Sequence, residues 1–111
     1  MSKYHLGEFE EIVLLTVALL YGKAYGVAIL DEIEDRLSRH VSIGSLQTVL
    51  VRLEKKGQLV SKLGEATSIR GGKRKRFFTI TKLGKQELET SKDQRLSLWK
   101  AIPKIVLEDD S

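Results

Sequence analysis

The segment VSIGSLQTVLVRLEKKG, residues 41–57, carries the clearest structural pattern in this chain, that of an amphipathic helix. Its large apolar residues recur at the spacing i, i+3, i+4, i+7, which places them on one face that packs against a core. They are Leu46, Val49, Leu50 and Leu53. Ser42 is suited to cap the first turn and Gly57 to follow the last one, so the segment predicts a complete helix with defined ends.

The other face of this helix is small, polar and basic. At about 100° per residue it carries Gly44, Gln47, Thr48, Val51, Arg52 and Lys55, with Ser42 and Ser45 at its start. N–H groups and hydroxyls at a helix N-terminus suit phosphate contact, and Gln47 and Val51 suit contacts with adenine and with the thymine methyl group. These residues predict a helix that enters the major groove of double-stranded DNA. The alternative is an ordinary solvated face, with Ser42 as a cap only.

Two further helices are predicted before this one. The first covers residues 8–21; its early acids Glu8, Glu10 and Glu11 suit the positive end of the helix dipole, and Gly22 ends it. Its middle is apolar on nearly all sides, so we expect burial by the core on one face and by a second subunit on another. The second helix covers residues 25–39, with an apolar face of Ile29, Ile33 and Leu37 and a solvated acidic face of Asp31, Glu32, Glu34 and Asp35.

Beyond the third helix the pattern changes to strands. QLVSKL at 58–63 and RFFTIT at 76–81 predict a hairpin whose long tip contains Gly71 and Gly72, and a last helix runs from Thr81 to about Ile102, before Pro103. The order helix, helix, helix, strand, strand, helix predicts a mainly α (α+β) fold. This fold is a winged helix-turn-helix, residues 1–81, with one added C-terminal helix and a short acidic tail, residues 82–111.

The hairpin tip holds the densest positive charge of the molecule. The net charge is only +4, yet five cations fall within seven residues: Arg70, Lys73, Arg74, Lys75 and Arg76. A clustered basic patch is an electrostatic footprint of nucleic-acid binding, whereas a scattered excess is not. We therefore expect the tip to bind the DNA backbone or minor groove. The alternatives are a solvated loop that protects an edge strand and, for Arg76, a pair with an acid.

Composition excludes several other classes. The chain has no cysteine, no apolar run long enough for a membrane span and no signal-peptide pattern, so a soluble protein of the reducing cytoplasm is expected. His5 and His40 lie far apart without partners for a metal site. No nucleophile motif or phosphate-binding loop is present, which predicts a protein that is not an enzyme and needs no cofactor.

Trp99 is the only tryptophan. It lies with Leu96 and Ile102 on the last helix, which has few apolar residues. A large aromatic side chain on a polar helix indicates a partner surface. Two alternatives stay open: an anchor of a dimer interface, or a wall of a flat site between subunits for an aromatic or hydrophobic effector. The three tyrosines are further candidate walls, or otherwise core or rim residues: Tyr4, Tyr21 and Tyr25.

A spaced series of residues resembles the PadR family of transcriptional regulators over roughly residues 6–88. The series comprises Leu6-Gly7, Tyr25-Gly26, Gly44-Ser45-Leu46, Leu50, Arg52-Leu53-Glu54, Gly57, the RGG of the tip, Thr81 and Gly84. The resemblance implies a homodimer formed through the C-terminal helix and a third helix that binds operator DNA. The chain departs from the family at Gln47, Phe77 and Phe78, where tyrosines are usual.

Together these features predict a sequence-specific, DNA-binding transcriptional regulator, a homodimeric repressor with a small-molecule effector site as an open alternative. The competing hypothesis is a winged-helix module that binds another protein through the basic tip, because fold alone does not fix function. The two differ in one structural respect. A DNA-binding protein leaves the polar face of the third helix exposed beside the tip, whereas an interaction module covers that face with the last helix.

Overall fold

The computed structural model describes residues 6–64 and 74–108. Its elements, in chain order, are α1 Glu8–Leu19, α2 Gly26–Leu37, α3 Ile43–Lys55, β1 Leu59–Leu63, β2 Arg76–Ile80, α4 Lys82–Ala101 and α5 Lys104–Leu107. This order confirms the winged helix-turn-helix with an added C-terminal helix. The short α5, which follows Pro103, was not predicted from the sequence.

Left-handed residues set three of the helix ends. Gly22 and Gly57 have φ values of +79° and +78°, as their places after α1 and α3 predicted. Ser38 adopts φ +49° and ends α2 two residues before the predicted end. Gln58 lies outside β1 because its N–H donates to the Leu53 carbonyl at 2.9 Å, which closes the end of α3.

The two strands form an antiparallel hairpin, called the wing below together with its connecting segment. Leu59 is opposite Ile80, Ser61 is opposite Phe78, and the pairing ends at Leu63 and Arg76. The segment before α2 extends this sheet on its other side, where Tyr25 forms a bridge with Phe77 and the N–H of Phe78 donates to the Ala24 carbonyl at 2.8 Å. This third contact, which sequence periodicity did not reveal, joins the base of the wing to the start of α2.

The core lies between the three N-terminal helices and the wing. All four predicted residues of the α3 stripe are buried, with Ile29 and Ile33 of α2 and Leu59 and Phe78 of the wing. The expected burial of α1 by the core is met on one face only, because Leu15 and Leu19 are 51% and 50% exposed. The expected burial of the other face by a second subunit stays a prediction. Leu37, predicted as part of the apolar face of α2, is also half exposed. These leucines lie on a face that no other element of the described chain covers.

The three acids at the start of α1 do more than complement the helix dipole. Glu8 accepts from Arg39 at 2.9 Å, Glu10 from Lys56 at 2.9 Å, and Glu11 lies 2.7 Å from Arg95 of α4. Each acid therefore joins α1 to a different part of the chain: the loop after α2, the end of α3, or α4.

The N-terminus of α4 is fixed tightly to the wing. The Thr81 hydroxyl accepts from the N–H of Gly84 at 3.1 Å and donates to the Gly57 carbonyl at 2.6 Å. Gly84 is buried, and a Cβ there would lie 2.3 Å from the Gln58 carbonyl oxygen. After this anchor α4 packs against α1 and β2, and its second half is exposed.

Candidate nucleic-acid interface

The polar face of α3 is open to solvent. All the α3 residues predicted for DNA contact are exposed: Gly44, Ser45, Gln47, Thr48, Val51, Arg52 and Lys55. Val51 is 50% exposed, an apolar side chain on a polar face. Because α4 packs on α1 and β2 instead, it does not cover this face. The arrangement is the one expected of a DNA-binding protein and not of an interaction module.

The start of α3 is organised by two serines. The Ser42 hydroxyl accepts from the Ser45 N–H at 3.1 Å, which confirms the predicted cap, and donates to the Ser45 hydroxyl at 2.8 Å. Both roles of the Ser42 hydroxyl are therefore used inside the protein. The proton of the Ser45 hydroxyl is left over, so Ser45 is the better phosphate donor of the two.

Two other polar residues on this face differ in what they offer. The Thr48 hydroxyl donates to the Gly44 carbonyl at 3.0 Å, which leaves it mainly an acceptor on the outer side. Gln47 lies beside Gly26 of α2: a Cβ built on Gly26 would be 3.6 Å from the Gln47 amide nitrogen. The absence of a side chain at Gly26 therefore gives the Gln47 amide room at the edge of α2.

The base of the wing presents Arg74, Lys75 and Arg76, all exposed. Arg70 and Lys73, also predicted as wing contacts, lie outside the described residues. The Lys75 ammonium is 4.1 Å from the centre of the Tyr25 ring, and this ring meets Phe77 edge to face at 5.7 Å. Tyr25 therefore forms part of the wing base and does not line the groove at Trp99 within this chain.

A cleft of about 320 Å³ separates the wing base from the starts of α2 and α3. Its lining comprises Tyr25, Gly26, Val27, Ile43, Gln47, Lys75, Arg76 and Phe78. It brings together a predicted base-contacting residue, Gln47, and two predicted phosphate-contacting cations on one surface. The distance in sequence between residues 47 and 75 gives no hint of this proximity, which depends on the bridge between Tyr25 and Phe77.

Glu10 is a residue of this region that sequence reasoning missed as a site component. Its carboxylate accepts from the Gly7 N–H at 2.9 Å and from Lys56 at 2.9 Å, and lies 4.0 Å from Arg52. Burial alone would raise the pKa of Glu10, but the Gly7 hydrogen bond and the Lys56 and Arg52 charges outweigh it and lower the pKa below its usual value. Glu10 therefore places a negative charge beside Lys56 and Arg52 at the C-terminal end of α3. The spacing Gly7-x-x-Glu10, that of a capping pair, was the available signal.

A second open groove, of about 460 Å³, lies between α1 and α4. Its apolar wall is formed by Leu15, Leu88, Leu96 and Trp99, and its charged rim includes Glu11 and Arg95. Of the predicted interface set, Leu96 and Trp99 line this groove, whereas Ile102 lies on the other side of Trp99. Trp99 is 60% exposed, so its ring is available to a partner or ligand. Tyr21 is exposed after α1 and does not line the groove, and Tyr4 lies outside the described residues.

The described part of the chain contains neither a candidate metal site nor a candidate membrane-spanning helix. Residues 6–64 and 74–108 contain no group of three or more acids and histidines placed to hold a metal ion. The exposed His40 has one acidic neighbour, Glu34, at 3.6 Å; His5 is outside the described residues. Nor does any helix of these ranges have the length and apolar character that crossing a membrane requires.

A three-helix unit with an open third helix and a basic wing beside it defines the class of winged-helix proteins. The chain belongs to the transcriptional regulator PadR-like family, whose model matches residues 14–90. This family consists of transcriptional regulators and not of enzymes.

Solved structures share the fold. A PadR-like transcription factor from Bacteroides fragilis has a TM-score of 0.73 at 20% identity, covering 87% of this chain and 88% of its own. A PadR-like regulator from Bacillus cereus has a TM-score of 0.70 at 21% identity, covering 91% and 93%. A PadR family regulator from Clostridium difficile has a TM-score of 0.67 at 24% identity, covering 86% and 97%. No curated protein matches the chain.

Proposed function

We propose that this protein is a homodimeric transcriptional repressor that binds operator DNA through α3 and the wing. The observation that carries the proposal is that the polar face of α3 and the wing cations form one uncovered surface across the cleft at Gln47 and Lys75. A helix that enters the major groove needs such an open face, and cations beside it can reach the adjoining backbone.

Each part of this surface has a role in the proposed complex. The first turn of α3, with the Ser45 hydroxyl and unhindered Gly44, meets the backbone, while Gln47 and Val51 reach base edges. Arg52 and Lys55 lie further along the helix and meet phosphates. Arg74 and Lys75 neutralise the backbone beside the groove, with Arg70 and Lys73 of the same segment as further cations.

The dimer belongs to the second part of the proposal. Residues 1–81 act as the DNA-binding unit and residues 82–111 as the dimerisation unit, which joins a second copy through α4 and the exposed leucines of α1. A two-fold dimer places two α3 helices in successive major grooves, about 34 Å apart. Repression follows where the operator overlaps a promoter, and the setting of this activity is the cytoplasm.

The groove between α1 and α4 supports a site for an aromatic or hydrophobic effector. Leu15, Leu88 and Trp99 provide its apolar wall, and its position between the dimerisation helix and α1 would let a ligand alter the spacing of the two α3 helices. A ligand shifts that equilibrium only as far as it binds one spacing more tightly than the other.

The experiment that tests the proposal measures binding to duplexes selected by the protein from a random library, against scrambled duplexes, at several salt concentrations. Arg74→Gln with Lys75→Gln removes four wing cations per dimer, so the slope of log affinity against log salt should become shallower by up to about 3.6. The matched control is Lys100→Gln with Lys104→Gln, which removes the same charge from exposed positions that do not line the groove between α1 and α4. This variant should remain a dimer in sedimentation velocity and leave the slope unchanged.

The outcomes separate the two functions. Tight binding to the selected duplex with a shallower slope in the wing variant supports the DNA-binding repressor. If no duplex is enriched and none binds at low salt, DNA binding fails and the surface is that of a protein interaction module.

A further inference from the structure

Arg76 was predicted from the sequence as a DNA contact, with a pair to an acid as the alternative, and in the structure its guanidinium hydrogen-bonds to another strand of the protein. One of its guanidinium N–H groups donates to the Ser61 hydroxyl at 2.9 Å, across the hairpin from β2 to β1. The Ser61 hydroxyl in turn donates to the Glu54 carboxylate at 2.7 Å. Glu54 lies in the last turn of α3, so a chain of two hydrogen bonds runs from the wing to the helix that carries the proposed base contacts.

The three residues, called the clamp below, form a directional chain. A serine hydroxyl has one proton to donate and lone pairs to accept, and here the proton goes to the carboxylate while a lone pair receives the guanidinium. Both ends are ionised, and hydrogen bonds with an ionised partner are stronger than neutral ones. The Ser61 hydroxyl therefore bridges the positive charge of Arg76 on the wing and the negative charge of Glu54 on α3.

The wing cations Arg74, Lys75 and Arg76 differ in whether they are hydrogen-bonded toward α3. Within residues 6–64 and 74–108, Arg74 makes no hydrogen bond or ion pair, and the Lys75 ammonium lies over the Tyr25 ring. Arg76 alone of the three is hydrogen-bonded toward α3 in that part of the chain. A cation that is hydrogen-bonded within the protein contributes orientation, whereas one without such a bond contributes charge to an external partner.

We propose that Arg76 and Ser61 are positioning residues that set the angle between the wing and α3 through Glu54, and that Arg76 does not act as a phosphate contact. The inference rests on the proposed DNA binding. The relative position of wing and α3 determines whether the wing cations meet the backbone when α3 lies in the groove. Loss of the clamp should therefore weaken binding to the selected duplex much more than binding to a scrambled one.

The test compares Ser61→Ala, Arg76→Gln, the double variant and Arg74→Gln, with Ser61→Thr as the variant that keeps the hydroxyl. We expect Ser61→Ala and Arg76→Gln each to reduce affinity for the selected duplex roughly tenfold, with the double variant no worse than either. Their salt slopes should match that of the native protein. Arg74→Gln should instead make the slope shallower by about 1.8 per dimer and weaken both duplexes alike. Ser61→Thr should bind as the native protein does.

The proposal is overturned if Arg76→Gln makes the slope shallower as Arg74→Gln does while Ser61→Ala leaves binding unchanged. In that case Arg76 meets a phosphate directly. The slope separates the two roles because Ser61→Ala removes no charge, so a purely electrostatic contribution of the wing cannot register the loss of this hydroxyl.

A second measurement tests the clamp without DNA, so that failure of the proposed function is distinguishable from failure of the clamp. The chain has no cysteine, so Arg74→Cys provides a single site for a nitroxide label. Its distance-dependent broadening of the α3 amide resonances reports the position of the wing in the free protein. The broadening of the α3 amide resonances should become weaker or extend over more residues in Ser61→Ala and Arg76→Gln. It should stay as in the native protein in Ser61→Thr. An identical pattern in all variants would refute the clamp, whether or not DNA binds.

Discussion

At the scale of single residues, Glu10 connects stability to the proposed interface. Its side chain is only 8% exposed, and its charge is balanced by Lys56 at the end of α3, with Arg52 slightly further away. Removing one partner of a buried pair is costly because the other charges lose their compensation. Glu10 therefore stabilises both the contact between α1 and α3 and the orientation of Arg52, a residue of the proposed DNA-binding face.

We expect Glu10→Gln to lower the free energy of unfolding at pH 7 by about 2 kcal/mol. The lowered pKa of Glu10 gives the sign of the pH dependence. The contribution of its charge is complete above the unfolded pKa, near 4.5, and disappears as the pH falls through the lower pKa of the folded protein. Urea unfolding of both proteins from pH 7 downwards should show the difference shrinking below pH 4.5.

The control is Glu8→Gln, which neutralises a neighbouring acid whose side chain is 70% exposed and pairs with Arg39 at the surface. Such pairs contribute little, so the change should stay within about 1 kcal/mol. A deficit of Glu10→Gln that persisted undiminished at low pH would assign the loss to packing of the amide and not to the missing charge.

Residue roles were predictable from the sequence only where local spacing sets them. Ser42 was identified as a cap and Thr81 as the start of the last helix, because a cap acts on residues two or three positions away. The contacts of Glu10 with Lys56 and of Arg76 with Ser61 join residues far apart in sequence, and no local pattern encodes such pairs. Arg76 is an example: its place in a run of cations predicted a DNA contact or a pair with an acid, and neither alternative named Ser61 on the opposite strand.

At the scale of elements, two glycines near helix N-termini have opposite surroundings. Gly44 in the first turn of α3 has no atom of the described chain within 4 Å of the Cβ that it lacks. Gly84 in the first turn of α4 would place that atom 2.3 Å from a backbone carbonyl oxygen and 2.9 Å from Ile80. A side chain at Gly44 would therefore meet no other described part of the protein on the proposed DNA-binding face. The lack of a side chain at Gly84 allows α4 to approach the wing closely.

The same substitution should therefore act in opposite directions. Gly44→Ala should raise the free energy of unfolding by up to about 1 kcal/mol, because alanine favours helix, while weakening DNA binding through contact with the approaching backbone. Gly84→Ala should lower stability by about 1–3 kcal/mol through overpacking. Thermal unfolding and duplex binding measure both. Full affinity in Gly44→Ala would show that DNA does not approach this turn closely.

Element order was predictable because hydrophobic period and caps are local signals, and the changes from helix to strand at Gln58 and back to helix at Thr81 are sharp. The bridge of Tyr25 to Phe77 was not predictable, since a single paired residue has no period. The short α5 was missed for a related reason: four residues are too few for a helical pattern. The cleft at Gln47 and Lys75 depends on that bridge, so its composition could not be predicted either.

At the scale of the whole molecule, one region joins several of the exposed apolar residues. Leu15 lines both the groove between α1 and α4 and a second one between α1 and α2, which also includes Leu19 and Leu37. Continuous exposed apolar surface on a small protein indicates an interaction site. The predicted all-round burial of α1 is not met within one chain, and a second copy on this region would supply the missing cover.

Leu15→Glu should therefore dissociate the proposed dimer, because the substitution places a charge at the centre of the apolar region. Sedimentation velocity should give a dimer for the native protein and a monomer for the variant. The melting temperature should rise with concentration only in the native protein, since association stabilises the folded state by mass action. The control is Leu63→Glu on β1, where the leucine is 44% exposed and lines neither groove, and this variant should remain dimeric.

Leu15→Glu also distinguishes the contribution of dimerisation from that of direct DNA contact. A monomer keeps one α3 and one wing, so its salt slope on the selected duplex should fall to about half that of the dimer, and affinity should fall steeply because two linked contacts become one. If Leu15→Glu is monomeric yet binds with the full slope, one chain makes all the phosphate contacts and the two-fold arrangement is wrong. If it remains a dimer, association uses another surface, and the exposed α4–α5 segment becomes the first to examine.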